Sequence, residues 1–331
     1  MTFGDMPKIE LHLHHEAAAP PAFFRQMASE KKMDISSIFD DGGNYVYRDF
    51  EHFIEVYDAA TQTLKTPEDF KRLTYAALEE TARSGVIYCE TFVSPDFCGG
   101  GDVVAWKEYL AAIKEGADAA EKSYGIVHRC IVTCLRHLGP EKAKPVALCA
   151  AETFGDYLTG FGMAGAEMMG RPGDFAYSFD LAREAGLALT CHAGEWGGPD
   201  MVADTLRDLK VSRIGHGINA IKDDALVDLL AEDGIVLEVC PGSNVVLNAV
   251  DSWSGHPIAK LRDRGVKVTV STDDPPFFHT TMTREFEMLH QTFGWEEDDF
   301  RALNQTALDA AFCGAETKET LAKRLKDAAN D

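Results

Sequence analysis

The chain has 331 residues, of which 45% are hydrophobic and 26% are charged. These are the values of a globular protein with a sizeable core, so bulk disorder, a coiled coil and a collagen-like chain are excluded. The 54 acidic and 32 basic residues give a net charge of −22. Such a field repels phosphate backbones and anionic lipid, which argues against nucleic acid and membrane surfaces as partners.

The eight cysteines predict buried thiols in a reduced, cytoplasmic protein. Most of them lie in or beside apolar runs, and disulfides are rare in the cytosol. The first residues, Met1–Met6, show neither the charged nor the apolar segment of a secretory signal. No apolar run approaches the roughly 18 residues that a membrane span needs.

Eight short apolar runs predict β-strands. They are Ile9–Leu13, Val86–Phe92, Ile126–Cys134, Tyr157–Gly162, Ala188–Cys191, Arg213–Gly215, Ile235–Val239 and Lys267–Ser271. Amphipathic stretches between them predict helices, among them Pro67–Ser84, Trp106–Glu121, Phe175–Glu184 and Asp223–Asp233. Eight strand–helix units in a chain of this length favour an α/β fold, a closed (β/α)8 TIM barrel formed by residues 1–331 as a single domain.

The stretch between the first two strands is unusually long. Residues 15–85 hold more than one helical pattern, with a loop predicted at Asp40–Gly43. An insertion of this kind belongs over the barrel mouth, where lids are found. The charged tail after Phe312 predicts a further helix.

Polar residues cluster at the predicted carboxyl ends of four strands. They are His12 and His14, His192 with Glu195, His216, and Asp273 with Asp274. In a TIM barrel the residues at this end converge on the active site. Together they make the case for a metal, whereas each alone has an ordinary explanation as a core histidine, a helix-start acid or a solvated turn.

The pair His12 and His14 gives the strongest support to the metal hypothesis. Residues two apart on a strand point to the same face, so both imidazoles can reach one ion. Three histidines and one aspartate with an open position suit a catalytic zinc better than a closed structural site. The same donors suit other divalent metals as well.

These fragments together resemble the adenosine/AMP deaminase family, its adenosine deaminase branch in particular. The matching stretches are PKIELHLHHE (residues 7–16), GFGMAGAE (160–167), LALTCHAGE (187–195), RIGHG (213–217), LEVCPGSN (237–244) and STDDP (271–275). The resemblance covers nearly the whole chain and implies a zinc-dependent (β/α)8 barrel.

The resemblance also implies a role for each matching residue. His12, His14, His192 and Asp273 look like the ligands of one zinc ion, and Asp273 also counts among the catalytic residues. Glu195 resembles the proton shuttle to purine N1, and His216 the residue that orients and deprotonates the attacking water. The substrate contacts implied are Asp274 to purine N7, the backbone N–H of Gly165 to N3, and Glu16 to the ribose 5′-hydroxyl.

The implied reaction is hydrolytic deamination of a small-molecule purine at C6. Adenosine and 2′-deoxyadenosine are the first expectation, and adenine or a modified aminopurine nucleoside is the alternative. The chain departs from the family pattern at Ala17, where a glycine is usual, and at Phe92 and Gly162, where an arginine and an aspartate are usual. We hypothesise that a buried ion pair was lost at the last two positions together. The departures leave the exact aminopurine open.

Other classes fit less well. A cytidine-type deaminase would need a P-C-x-x-C segment, which the chain lacks. A binuclear amidohydrolase would need a bridging lysine or acid after the fourth strand, and the acidic charge disfavours AMP. A barrel kept only for binding would be expected to lose a ligand or Glu195, and all are present. The oligomeric state is left open by the sequence.

Overall fold

Eight parallel strands surround a central core in the computed structural model, which describes residues 3–328 apart from the side chains of Phe50 and Glu51. The strands are β1 (Lys8–His14), β2 (Val86–Val93), β3 (Val127–Leu135), β4 (Leu158–Ala164), β5 (Ala188–Ala193), β6 (Arg213–His216), β7 (Val236–Val239) and β8 (Lys267–Val270). Each pairs in parallel with the next in chain order. The predicted (β/α)8 barrel is confirmed.

The barrel closes where the chain beyond β8 meets β1. Leu13 and Asp273 form a parallel bridge. The backbone N–H of His14 donates to the carbonyl oxygen of Asp273 at 2.9 Å, and the N–H of Asp273 donates to the carbonyl oxygen of His12 at 3.2 Å. Three predicted site residues therefore take part in the backbone hydrogen bonds that complete the barrel.

Thirteen α-helices lie among the described residues. They are α1 (Pro21–Lys31), α2 (Phe50–Thr61), α3 (Pro67–Arg83), α4 (Val103–Tyr124), α5 (Pro140–Thr153), α6 (Ala176–Glu184), α7 (Pro199–Leu209), α8 (Asp224–Glu232), α9 (Pro241–Val246), α10 (Ile258–Asp263), α11 (Met282–Phe293), α12 (Glu297–Ala310) and α13 (Ala315–Asp327). The four helices predicted by name all form, within three residues of the predicted ends. Within residues 3–328, no helix combines the length and the apolar character needed to cross a membrane.

The long insertion after β1 forms α1 and α2 and packs against the chain that follows β8. Tyr45 stacks on Phe277 with ring centroids 3.9 Å apart, and the hydroxyl of Tyr47 donates to the carbonyl oxygen of Phe277 at 2.8 Å. Phe53 on α2 contacts the rings of both Phe277 and Phe278. This aromatic cluster fixes the insertion at the mouth of the barrel, as the sequence predicted.

A buried ion network crosses the barrel interior. Arg213 on β6 lies 2.7 Å from Glu90 on β2 and 2.5 Å from Glu238 on β7, and all three side chains are at most 1% exposed. The guanidinium also covers the ring of Phe312 at 3.5 Å. One cation therefore pairs with two carboxylates that would otherwise be more costly to bury.

Replacement of this cation should destabilise the fold. Arg213→Met leaves two buried carboxylates without their shared cation, and loss of one partner of a buried ion pair costs about 3–5 kcal/mol in comparable sites. We expect the midpoint of urea unfolding, followed by circular dichroism, to fall accordingly. The control is Arg83→Met, which breaks exposed ion pairs on α3 and should leave the midpoint nearly unchanged. Equal losses in the two variants would contradict this assignment.

Candidate active site

Four side chains meet at the carboxyl ends of β1 and β5 and just beyond β8. The ligand atoms of His12, His14, His192 and Asp273 all lie within 4.8 Å of one another. The Nε2 atoms of His14 and His192 are 3.2 Å apart, and His14 Nε2 lies 3.1 Å from Asp273 Oδ1. The structure thus brings together all four residues that the sequence predicted as metal ligands.

Hydrogen bonds on the outer side of two rings aim lone pairs at the centre of the cluster. His12 Nδ1 lies 2.8 Å from Glu238 Oε2, and His192 Nδ1 lies 3.0 Å from the carbonyl oxygen of Met163. Both oxygens accept, so each ring carries its proton on Nδ1 and presents the Nε2 lone pair inward. Among the described residues, His12 Nε2 and Asp273 Oδ1 are buried without a hydrogen-bond partner. This donor set fits a divalent cation.

Glu195 stands beside the cluster in a loop that one buried acid holds in place. The Glu167 carboxylate accepts hydrogen bonds of 2.5–3.1 Å from the backbone N–H groups of four consecutive residues, 194–197. The side-chain amide of Asn219 donates to the carbonyl oxygens of Glu195 and Gly197, both at 2.9 Å. The loop is therefore anchored from two sides, which fixes the direction of the Glu195 side chain.

The surroundings of Glu195 favour its protonated form. Burial, followed by the charges of Asp273 and Glu167, raises its pKa well above the usual range of a glutamate. Its Oε1 atom is buried without a hydrogen-bond partner among the described residues. A carboxyl group that keeps its proton near neutral pH can act as a general acid.

His216 faces the same space from the end of β6. Its Nε2 lies 3.8 Å from Glu195 Oε2 and 4.0 Å from Asp273 Oδ2. Burial lowers its pKa to about 3, so the ring is neutral near pH 7. Its backbone has a φ of 60°, which few non-glycine residues adopt. At Gly215 a Cβ atom would lie 2.9 Å from a carbon of the His12 ring, so the glycine before His216 lets the strands approach.

The two adjacent aspartates differ in their environment. The hydroxyl of Ser243 donates to Asp273 Oδ2 at 2.7 Å, and Asp273 faces the histidines. Asp274 has no such partner on Oδ1 among the described residues. Burial, and then the charge of Asp273, raises the pKa of Asp274 to about 8. Asp274 can therefore donate as well as accept a hydrogen bond.

Glu16 is buried beside the cluster, in the short turn that follows β1. Its carboxylate accepts a hydrogen bond from the backbone N–H of Ser94 at 3.3 Å, and burial raises its pKa to about 7. His15 points the other way, as expected. Its ring contacts the hydroxyls of Thr91 at 3.0 Å and Thr74 at 2.8 Å, so it is a buried structural residue.

Gly165 is the one predicted site residue for which the described part of the chain shows no contact with this cluster. It follows β4 at the same end of the barrel, is exposed, and has a φ of 91°. A side chain there would collide with His137, since a Cβ atom would lie 2.5 Å from Nδ1 of that ring. The role of its N–H group towards N3 stays a prediction.

Phe92 takes part in the site through its ring. Its centroid lies 4.7 Å from that of His12 and 5.3 Å from those of His14 and His192. A Cβ atom at Gly162 would meet Thr190 at 3.3 Å. Phe92 therefore packs on three predicted ligands, a contact that the hypothesis of a lost ion pair did not include, and that hypothesis stays a prediction.

Comparison with known proteins identifies the family of this chain. Residues 7–328 match the family model described as adenosine deaminase. The chain is 45% identical to an adenine deaminase of Rhizobium rhizogenes over 322 residues, 97% of this chain and 99% of the relative. It is 46% identical to an adenine deaminase of Agrobacterium fabrum over 323 residues, 97% and 98% of the two chains.

The chain belongs to the adenosine deaminase family.

Solved structures agree with this membership. A crystal structure of an adenine deaminase from Arthrobacter aurescens superimposes with a TM-score of 0.90 at 27% identity and covers 98% of this chain and 100% of its own. A zinc-bound amidohydrolase from Burkholderia ambifaria has a TM-score of 0.85 at 27% identity, with 99% and 94% covered. The predicted resemblance is confirmed, and the protein is a hydrolytic aminohydrolase of the adenosine deaminase family.

Several residues that shape this family site were missed by the sequence analysis. They are Glu238 behind His12, Glu167 under the Glu195 loop, Ser243 against Asp273, and Asn244 against His216. All four lie in stretches that carried the family resemblance, but no role followed from their spacing. A buried acid on an apolar strand, such as Glu238, was the available signal, because burial of an acid requires a partner.

Glu238 should tune metal affinity through His12. Glu238→Gln removes the charge that strengthens the His12 Nδ1–H bond, and comparable changes behind a ligand weaken metal binding about 10–100-fold. We expect this loss in a competitive zinc titration against a chromophoric chelator. The control is Glu232→Gln at the exposed end of α8. An unchanged zinc affinity in Glu238→Gln would show that the contact does not support the metal.

Proposed function

We propose that the protein is a zinc-dependent deaminase that hydrolyses adenine to hypoxanthine and ammonia. The observation that carries the choice of substrate is full-length identity of 41–46% to relatives named adenine deaminase. Adenosine and 2′-deoxyadenosine, the first expectation from the sequence, have less support than the alternative. The substrate is a small molecule, and we propose no nucleic-acid or membrane partner.

His12, His14, His192 and Asp273 would hold the zinc ion, because three imidazoles and one carboxylate leave a coordination position open. When bound, zinc supplies the Lewis acidity that makes water a strong nucleophile near neutral pH.

Glu195 would start the reaction by giving its proton to ring nitrogen N1. Protonation of N1 withdraws electrons from C6, so that the water oxygen can form a bond to C6. The water loses one proton as it attacks, and His216 and Asp273 are the two groups placed to receive it. Their Nε2 and Oδ2 atoms, 4.0 Å apart, face the same space as Glu195. Asp274 would hold N7 and fix the ring in this orientation.

The adduct at C6 then carries a hydroxyl and the amino group. The proton taken from water passes to the amino group, which leaves as ammonia when the C6–N bond breaks. The hydroxyl returns a proton to Glu195, and a C6 carbonyl remains. Glu195 and the base thus end in their starting forms, and the net change is adenine plus water to hypoxanthine plus ammonia.

Glu16 would distinguish a free base from a nucleoside. Free adenine carries a hydrogen on its imidazole ring, and a buried carboxylate can accept that hydrogen bond. A nucleoside carries a sugar at N9 and offers no N–H there, which would leave the Glu16 carboxylate buried without its partner. Sites of this kind reject the analogue that lacks the group more strongly than apolar pockets do. Under this proposal Glu16 faces the base, and the expected ribose contact is replaced.

Adenine should be the preferred substrate of the zinc-loaded protein. Ultraviolet absorbance follows the conversion of adenine, adenosine and 2′-deoxyadenosine in parallel. We expect kcat/KM for adenine to exceed that for both nucleosides by at least about 100-fold. Turnover of the nucleosides at a similar kcat/KM would return Glu16 to a ribose contact and restore the first expectation.

Loss of the acid should remove catalysis while leaving the metal in place. Glu195→Gln keeps the shape of the side chain but has no proton to give, so kcat for adenine should fall about 10²–10⁴-fold. Zinc content, measured by atomic absorption, should stay near one per chain. Glu184→Gln, exposed at the end of α6, is the control. A kcat within a factor of ten of the unmodified protein would exclude Glu195 as the proton donor.

A further inference from the structure

A chain of three hydrogen bonds runs from a backbone N–H group to His216. The N–H of Ile258 donates to His256 Nδ1 at 3.1 Å. His256 Nε2 lies 3.2 Å from Asn244 Oδ1, and Asn244 Nδ2 lies 3.2 Å from His216 Nδ1. His256, Asn244 and His216 are at most 2% exposed. The polar atoms that form these three hydrogen bonds therefore have each other as partners.

The backbone N–H of Ile258 fixes which group donates in each of these three hydrogen bonds. A backbone N–H can only donate, so His256 Nδ1 must be the acceptor and the neutral ring carries its proton on Nε2. That proton needs an acceptor, which places the oxygen of the Asn244 amide towards His256. The NH2 group of Asn244 then faces His216 Nδ1, which must also accept. A proton on His216 Nδ1 would place two donors against each other, with no partner for either.

We propose that Asn244 and His256 are positioning residues that hold His216 in the Nε2–H tautomer, so that His216 donates a hydrogen bond in the active site and does not act as the base. The inference rests on the proposed function for its consequence in catalysis. Its structural part, the tautomer, stands on these contacts alone.

The surroundings of His216 agree with a donor at Nε2. Two carboxyl oxygens face it, Glu195 Oε2 at 3.8 Å and Asp273 Oδ2 at 4.0 Å. An N–H group directed between them can hold an attacking water by its oxygen. The proton that the water loses then goes to Asp273, which returns it to the departing amino group. The role of water deprotonation that the family resemblance implied for His216 therefore passes to Asp273.

The tautomer can be read without any substrate. In zinc-loaded protein with ¹⁵N-labelled histidine, nitrogen–proton correlation spectra distinguish a protonated ring nitrogen from one with a lone pair. The His216 signals are assigned by their disappearance in His216→Gln. We expect Nε2 protonated and Nδ1 unprotonated. A proton on Nδ1 of the unmodified protein would overturn the proposal, whether or not adenine is turned over.

The substitution Asn244→Asp should reverse the tautomer of His216 with almost no change in the shape of the side chain at position 244. A carboxylate accepts from His256 and also from His216, so it draws a proton to His216 Nδ1. We expect the Nδ1–H signal to appear and kcat for adenine to fall about 10²-fold, as when an oriented donor is lost. KM and zinc content should stay within about threefold of the unmodified values. An unprotonated Nδ1, or an unchanged kcat, would refute the assignment.

Two controls separate positioning from folding. Asn304→Asp alters another buried asparagine, which bonds to Ile9 and Pro7 away from the site, and it should lower stability without changing the His216 signals. His256→Gln keeps a donor near the Nε2 position, whereas His256→Leu removes it. We expect His256→Gln to retain most of kcat and His256→Leu to lose it. Equal kcat in these two variants would also refute the proposal.

Discussion

The site depends on the place where the barrel closes. Asp273 belongs to the chain beyond β8, and its backbone exchanges hydrogen bonds with His12 and His14 on β1. Its φ of 68° lies in the left-handed region, where a non-glycine residue is held only by its surroundings. Closure of the barrel therefore places the only carboxylate of the cluster against its histidines. A register shift at this seam would separate the two halves of the metal site.

Charge explains how the buried acids are arranged around the place where the barrel closes. Glu238, Asp273, Asp274, Glu195 and Glu16 are all buried or nearly so, in a chain whose net charge is already −22. Deeper in the barrel, Arg213 pairs with two of the buried acids, Glu90 and Glu238. Burial favours the protonated forms of Glu195 and Asp274, so the fixed negative charge of the cluster is that of Asp273, which lies next to His12 and His14. The orphaned atoms of His12 and Asp273 mark the same place. The ligand chemistry of the cluster and the buried charge of Asp273 thus both favour a cation at this place.

The sequence predicted the strands and the ligand set because both leave local signals. Apolar runs marked every strand, and His12 and His14 showed the two-residue spacing of a strand. Contacts between strands that are far apart in the sequence left no such local signal. The pairing of Glu238 with His12 depends on where β7 stands relative to β1, and spacing along the chain does not give that. The same holds for Glu167, whose four hydrogen bonds are made to a loop about thirty residues away. The strain at His216 and Asp273 was also hidden, because positive φ values there arise from packing.

The residues that we propose for specificity and those that we propose for chemistry are held by different parts of this barrel. The end of β2 and the residue after it contact the end of β1 and the turn that follows, since Thr91 bonds to His15, Phe92 packs on His14 and Ser94 bonds to Glu16.

The end of β2 thus contacts both His14, a predicted metal ligand, and Glu16, the neighbouring acid for which we propose a contact with the substrate. The chemical groups Glu195, His216 and Asp273 come instead from β5, β6 and the chain after β8, with supports of their own. The turn after β1 can therefore differ while the supports of Glu195, His216 and Asp273 stay in place. For this chain, the departures Ala17 and Phe92 lie on the β1–β2 side, and Phe92 packs on the rings of His12, His14 and His192, so a change at Phe92 affects the predicted ligands as well as the turn that holds Glu16.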